Sequence, residues 1–193
     1  MDKQEILRIF DATGALQNGH FELTSGLHSP TYFQCALALQ YPQYLHSFSH
    51  EIFDFYREEE EVIDVVVAPA IGGIVVAQEV GRLFGVRNIF AERVNGKLAL
   101  RRGFAIEHRE NVLVVEDVIT TGGSVGEVIQ LVEEAGGFVV GVGCIVDRSN
   151  KKLKIEVPVF SVHRSKLVTY TPENCPLCMQ NKTLIKPGSR SLK

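Results

Sequence analysis

The chain has 193 residues and a mass of 21.4 kDa, enough for one well-cored domain at roughly 150 residues per domain. Hydrophobic residues make up 45% and charged residues 22%, which excludes a disordered tail, a collagen-like fibre and a disulfide-stapled mini-protein. With 20 Lys and Arg against 23 Asp and Glu, the net charge is −3 and the pI near 6.1, so no broad basic surface is available to grip a nucleic acid.

The first helix is expected from a capping-box pattern, Asp2 followed by Glu5. Ile6, Ile9, Phe10 and Thr13 then recur at helical spacing until Gly14. A second helix starts at Pro42 with Leu45, Phe48, Ile52 and Phe55 on one face, and the acidic run Glu58 to Glu61 reads as its solvated end. Val62 to Val67 is a β-branched strand, Ala68 to Gly73 a small-residue turn, and Ile74 to Phe84 a helix closed by Gly85. Strands follow at Asn88–Ala91 and Val112–Val115. A helix over Val125–Ala135 ends at Gly136-Gly137, and Phe138 to Val146 returns as a strand. Strand, turn and helix in alternation, with apolar runs too continuous for half-exposed strands, predict an α/β fold with a parallel sheet covered on both faces. Ligands of such sheets bind beyond the carboxyl ends of the strands.

No apolar run approaches the ~18–20 residues of a membrane span, and the richest, Val62 to Ala77, carries Asp64 and Pro69. The polar start Met1-Asp2-Lys3-Gln4-Glu5 lacks a signal peptide's apolar segment, so the expected location is cytoplasmic. The cysteines are Cys35, Cys144, Cys175 and Cys178. Cys175-Pro-Leu-Cys178 has the spacing of half a zinc site, with no second Cys or His pair at matching spacing nearby. It reads as two reduced thiols in a C-terminal turn, with a redox pair or a shared metal site as alternatives.

The segment Val112 to Ser124 carries the chemistry: four apolar residues, the acids Glu116-Asp117, then Val118-Ile119 and the turn Thr120-Thr121-Gly122-Gly123-Ser124 leading into a helix. Donor-rich backbone at a helix N-terminus forms an anion pocket suited to a phosphate monoester. Carboxylates beside it can accept hydrogen bonds from vicinal hydroxyls, so the pattern fits a ribose 5-phosphate group. Piece by piece it could be an ordinary strand–turn–helix whose acids cap the helix. It is neither a Walker A loop nor a Gly-x-Gly-x-x-Gly fingerprint.

As a whole this segment closely resembles the signature of the type I phosphoribosyltransferases, which bind phosphoribosyl pyrophosphate (PRPP). The resemblance implies their fold, a central parallel sheet flanked by helices under a small hood. Here that means one domain over residues 1–193, with the hood mainly from 1–40 and a mobile loop at about 92–104. It implies that Glu116 and Asp117 hold the ribose hydroxyls, that Thr120, Thr121, Gly122, Gly123 and Ser124 wrap the 5-phosphate, and that Val118 and Ile119 also belong to the PRPP site. Ala70, Ile71, Gly72 and Gly73 stand where the family places its pyrophosphate loop. Glu92 to Gly103 matches the catalytic loop, whose cations are Arg93, Lys97, Arg101 and Arg102. Lys97, Arg93 and Asp117 are the implied catalytic residues, with Arg101 a further PRPP contact.

Gly19 to Phe33 resembles the hood of the orotate enzymes in this family, a Phe-x-Leu-x-Ser-Gly-x-x-Ser-Pro stretch before an aromatic pair. An Asn-Gly turn feeding a β-hairpin would explain its glycines but not the whole pattern. Asp147-Arg148 matches the family's Asp-Arg at a strand end, where a bidentate guanidinium grips a carboxylate. The resemblance thus implies orotate contacts from Thr120, Arg148, Ser25, Gly26, Tyr32 and Phe33. Many orotate enzymes carry Lys where Thr24 stands, Tyr-Lys where Ile71-Gly72 stand, and His near Ala99. Also implied are Mg²⁺ held mainly by PRPP and water, with no protein metal ligand, and a homodimer with shared active sites and no nucleic-acid or membrane partner. Two other readings stay open, a purine (adenine-type) phosphoribosyltransferase and a PRPP-sensing regulator on the same fold. The regulator would want a winged-helix extension or a basic face.

Overall fold

In the computed structural model, residues 1–23, 25–58, 62–150, 152–165 and 168–187 are described. Thr24, Glu59 to Glu61 of the acidic run and the last six residues of the basic tail lie outside them. Helix α1 (Lys3–Ala12) leads into strands β1 (Leu16–Glu22) and β2 (His28–Phe33), a short helix α2 (Ala36–Leu39) and the long helix α3 (Pro42–Tyr56). Then come β3 (Val65–Pro69), α4 (Gly73–Phe84), β4 (Arg87–Val94), β5 (Lys97–Leu100), β6 (Asn111–Ile119), α5 (Gly123–Glu134), β7 (Phe138–Asp147) and β8 (Val159–Arg164). A 3-10 turn (Pro172–Asn174) and one helical turn, α6 (Pro176–Met179), close the described chain.

The main sheet has the order β5-β4-β3-β6-β7-β8. Strands β4, β3, β6, β7 and β8 run parallel, and β5 pairs antiparallel with β4 at the edge. Its continuous apolar strands are buried on both faces. Val66, Ala68, Leu113 and Val115 pack with α1, α3 and α4, whereas Val65, Val67, Val112 and Val114 pack with α5. The chain enters at β3 and later crosses to β6, so strand order reverses between these neighbours. The crevice above their carboxyl ends is the place such sheets offer to a ligand. Ala70–Gly73 and Thr120–Ser124, the two turns singled out in the sequence, flank it.

The α3 face differs from the expected one. Phe48, Ile52 and Tyr56 are buried, while Phe55 is exposed and stacks on Phe160 at 4.6 Å. Gly141 and Gly143 on β7 create this seat: a Cβ at Gly143 would lie 2.6 Å from Ile52, and one at Gly141 would enter the Tyr56 ring. The buried Tyr56 hydroxyl donates to the carbonyls of Val142 and Pro158, at 2.9 and 3.0 Å.

The segment Glu92–Gly103, expected as a loop, is largely a hairpin. Strands β4 and β5 pair Val94 with Lys97 and Arg93 with Leu98 around Asn95-Gly96. Both turn residues have positive φ, 50° and 85°, the conformation that a two-residue Asn-Gly turn supplies. The N-terminal hairpin β1–β2 turns between Glu22 and His28, while Asn18-Gly19 lies inside β1 beside a register shift. Strand β8 carries polar and apolar residues on a partly exposed sheet edge, and its mixed pattern hid it from periodicity.

Candidate active site

A cleft of about 1350 Å³ lies above the carboxyl ends of β6 and β7, roofed by the β1–β2 hairpin. Its floor is the run Glu116 to Ser124, and its walls bring in Ser25, Tyr32, Phe33, Arg93 and Arg148. These residues come from five separate parts of the chain.

The turn after β6 has Gly122 in the left-handed region at φ 78°, which reverses the chain directly into α5 at Gly123. The amides of the first helical turn lack intrahelical partners and are aimed by the helix dipole at an anion. The exposed Thr120 and Thr121 add hydroxyls at the same mouth. Leu153, from the connection between β7 and β8, packs against this turn, so that a Cβ at Gly122 would stand 3.1 Å from it.

The two acids differ in their surroundings. Glu116 is buried, and loss of hydration, followed by the charge of Asp117, pushes its carboxyl well above the ordinary range. Its Oε1 accepts the Asp117 amide at 3.1 Å, and Asp117 Oδ1 accepts the Val118 amide at 2.8 Å. The Ala70–Gly73 turn abuts both acids. A Cβ at Gly72 would collide with the Asp117 carboxylate, and one at Gly73 would sit 3.1 Å from Glu116 Oε1. Glycine at both positions lets this backbone close over the acid pair. The Ala70–Ile71 peptide is cis, and Ile71 is 78% exposed.

Arg148 follows β7, its amide bonded to the Ile119 carbonyl at 2.8 Å, so the main chain fixes its place beside the phosphate turn. Only 7% of it is exposed. Its guanidinium lies over the Tyr32 ring at 5.3 Å, and burial lowers its pKa. Arg148 Nε and the neighbouring Ser149 Oγ are buried and find no hydrogen-bond partner among the described residues. Asp147 does not neutralise Arg148: its oxygens accept the Ser149 amide at 2.8 Å and face Arg164 Nε at 3.4 Å. A buried cation with an unused donor facing a cleft is built for a planar anion.

Tyr32 and Phe33 both line the cleft, with different neighbours. Neighbours on a strand point to opposite sides, so Tyr32 meets Arg148 while the Phe33 ring packs in the core on Phe10 and His163. Ser25 lines the cleft; Gly26 is in the hairpin turn at φ 78° and is not among the lining residues.

The cations of the β4–β5 hairpin divide. Arg93 reaches the cleft and holds Glu127 of α5 through two bonds of 3.0 and 3.2 Å, while Glu127 also accepts the Leu98 amide at 3.0 Å. Arg102 is bidentate on Glu92 at 2.8 and 2.9 Å. Lys97 and Arg101 are exposed and do not line the cleft of their own chain. Lys152 and Lys154, which do line it, escaped the sequence reading. Their only signal was a basic stretch between β7 and β8 with no periodicity. No helix of the described residues is long and apolar enough to cross a membrane.

Residues 48–170 match the phosphoribosyl transferase domain family. Over 190 residues the chain is 55% identical to an orotate phosphoribosyltransferase of Thermoanaerobacter sp. strain X514, covering 98% of this chain and 99% of the relative. It is 52% identical over 192 residues to that of Desulforamulus reducens, covering 100% of both. Among solved structures it is similar to orotate phosphoribosyltransferase from Aeropyrum pernix, with a TM-score of 0.73 and 21% identity over 83% of this chain and 94% of that one.

Proposed function

The chain belongs to the orotate phosphoribosyltransferases, within the phosphoribosyl transferase domain family, and from that premise we propose how its residues divide the transfer of ribose 5-phosphate from PRPP to N1 of orotate. The α5 N-terminus with Thr120, Thr121 and Ser124 takes the 5-phosphate, and Glu116 and Asp117 accept the ribose hydroxyls. The closely set backbone of Ala70–Gly73 takes the pyrophosphate. Arg148 binds the orotate carboxylate, with Tyr32 beneath the guanidinium and Ser25 and Thr120 at the edge of the base. Cleavage at the anomeric carbon builds oxocarbenium character, as in glycoside hydrolysis, and returns negative charge to the leaving group. Arg93 stands on the cleft wall to meet that charge once it leaves Glu127.

The acid pair beside the pyrophosphate turn fits a hard divalent ion that keeps its water, with Asp117 placed to accept hydrogen bonds from that water. A Mg²⁺ ion held there with the donor would supply positive charge to the pyrophosphate oxygens. Lys97 and Arg101, exposed and not among the residues lining their own cleft, serve the site of a second copy in a homodimer. The cytoplasm, where buried thiols such as Cys35 and Cys144 stay reduced, is the compartment in keeping with the chain.

The observation that carries the base assignment is the buried Arg148 with its unused Nε. A purine offers no carboxylate to that cation, and leaving it unpaired in the complex would be costly. Arg148→Lys replaces a fork with a point charge and is expected to raise the orotate KM at least ~10-fold, the scale of one charged hydrogen bond, with the PRPP KM nearly unchanged. An unaltered orotate KM would remove Arg148 from the base site.

A further inference from the structure

Four metal-ligating side chains meet outside the cleft. His20 of β1, His28 of β2, Cys175 and Cys178 of the C-terminal turn bring one ligand atom each to within 4.8 Å of all the others. We propose that they form a structural zinc site that staples the β1–β2 hairpin to the C-terminal segment.

The geometry is that of a closed tetrahedron. His20 Nε2 lies 3.0 Å from His28 Nδ1, 3.4 Å from Cys175 Sγ and 3.7 Å from Cys178 Sγ, and Cys178 Sγ lies 3.3 Å from His28 Nδ1. Bonds of ~2.0 Å to nitrogen and ~2.3 Å to sulfur span such edges around one central ion. A two-iron cluster needs its thiolates and imidazoles on separate metals, which a set this tight does not provide. Two thiolates with two imidazoles and no oxygen ligand select zinc over magnesium or calcium.

The local fold arranges this set. His20 sits in the register shift of β1 between Asn18 and Phe21, which turns its ring onto that of His28, the two centroids 4.9 Å apart. Cys175 precedes Pro176 at the start of α6, and Cys178 follows within that helical turn. The second nitrogen of His20 is also committed: Nδ1 donates to the Lys182 carbonyl at 2.9 Å, which leaves Nε2 with a bare lone pair toward the thiols. His20, His28 and Cys175 are buried, and Cys178 is the partly exposed member. Buried imidazoles and thiols crowded this closely need a shared partner, and a cation supplies one to all four.

An ion here has a mechanical task. A two-stranded hairpin is marginal alone. This one is backed by the C-terminal segment through paired bonds of Ile185 with His20 and Glu22, and of Tyr170 with His28. Zinc would lock those strands together and so fix the roof of the cleft. The site stands whether or not the base is orotate.

The test is metal analysis of protein purified without chelator under reducing conditions, then Co²⁺ substitution. About one zinc per chain is expected, with a tetrahedral cobalt spectrum carrying thiolate charge-transfer bands. Cys178→Ser, altering the partly exposed ligand, should lose the ion while keeping its far-UV circular dichroism. Stripping the ion should speed amide exchange in residues 16–33 and leave the β6 core protected. Protein that takes up no stoichiometric zinc or cobalt after reduction and dialysis against the metal would overturn the site. So would an X-ray absorption spectrum of the wild-type protein whose ion has only oxygen neighbours, a reading independent of whether any variant folds. Unchanged hairpin exchange after stripping would overturn the staple.

Discussion

Glu116 shows how a single side chain can trade stability for binding. Its carboxyl is raised above the usual value of 4.5, first by burial and then by Asp117. The folded state therefore binds a proton that the unfolded chain has released. Stability from this group is full below about 4.5 and is lost as pH rises through the folded value. Glu116→Gln removes that loss, so ligand-free thermal scans should show a Tm advantage for the variant that grows as pH rises above 4.5. The same variant should bind PRPP more weakly, because an amide is a poorer acceptor for ribose hydroxyls. A Tm difference flat with pH would show that Glu116 does not carry the strain. Residue chemistry of this kind was legible in the sequence as an acid pair before a phosphate turn. Which acid is buried was not, since that depends on the start of α4 at Gly73 packing against Glu116. Tyr32 and Phe33 make the same point: adjacency along the chain suggested a pair, and strand alternation sent the two rings to opposite sides.

Elements position these residues, and their junctions are the sensitive points. Strand β3 ends in a turn whose glycines touch the acids at the end of β6, so two turns about fifty residues apart form one surface. Gly72→Ala places a methyl group against the Asp117 carboxylate. It is expected to raise the PRPP KM by ~10-fold or more, since a small misplacement of positioning groups is costly, and to leave the fold intact. Wild-type kinetics in that variant would detach the Ala70–Gly73 turn from the site. Periodicity found the buried strands and their helices because their apolar runs are continuous. It missed β8, a mixed edge, and the β4–β5 hairpin, whose Asn95-Gly96 signal was overshadowed by the cations around it. The histidines of the C-terminal cluster were invisible for another reason: their partners lie over 140 residues away, and only the fold brings them together.

For the whole molecule, the cleft gathers most of the groups expected to bind both substrates, yet its own Lys97 does not line it. The proposed sharing of sites between two copies accounts for this and can be tested. Lys97→Ala should lower kcat by at least ~10²-fold, the scale of losing one charge partner in the transition state. Refolding an equimolar mixture of Lys97→Ala and Asp117→Asn chains should then restore about one quarter of wild-type turnover, because half of the symmetric pairings rebuild one intact site. A mixture no more active than its parents would confine each site to one chain.

The central claim is that this cleft joins ribose 5-phosphate to a base bearing a carboxylate. Pyrophosphate release with PRPP and Mg²⁺, measured separately with orotate, uracil, adenine, hypoxanthine and guanine, tests it most directly. Turnover with orotate alone is the predicted result, and it would mean that Arg148 reads the carboxylate uracil lacks. Turnover with a purine would keep the sugar-phosphate site and contradict the base assignment. PRPP binding without release for any of the five would contradict catalysis itself and favour a sensor of PRPP.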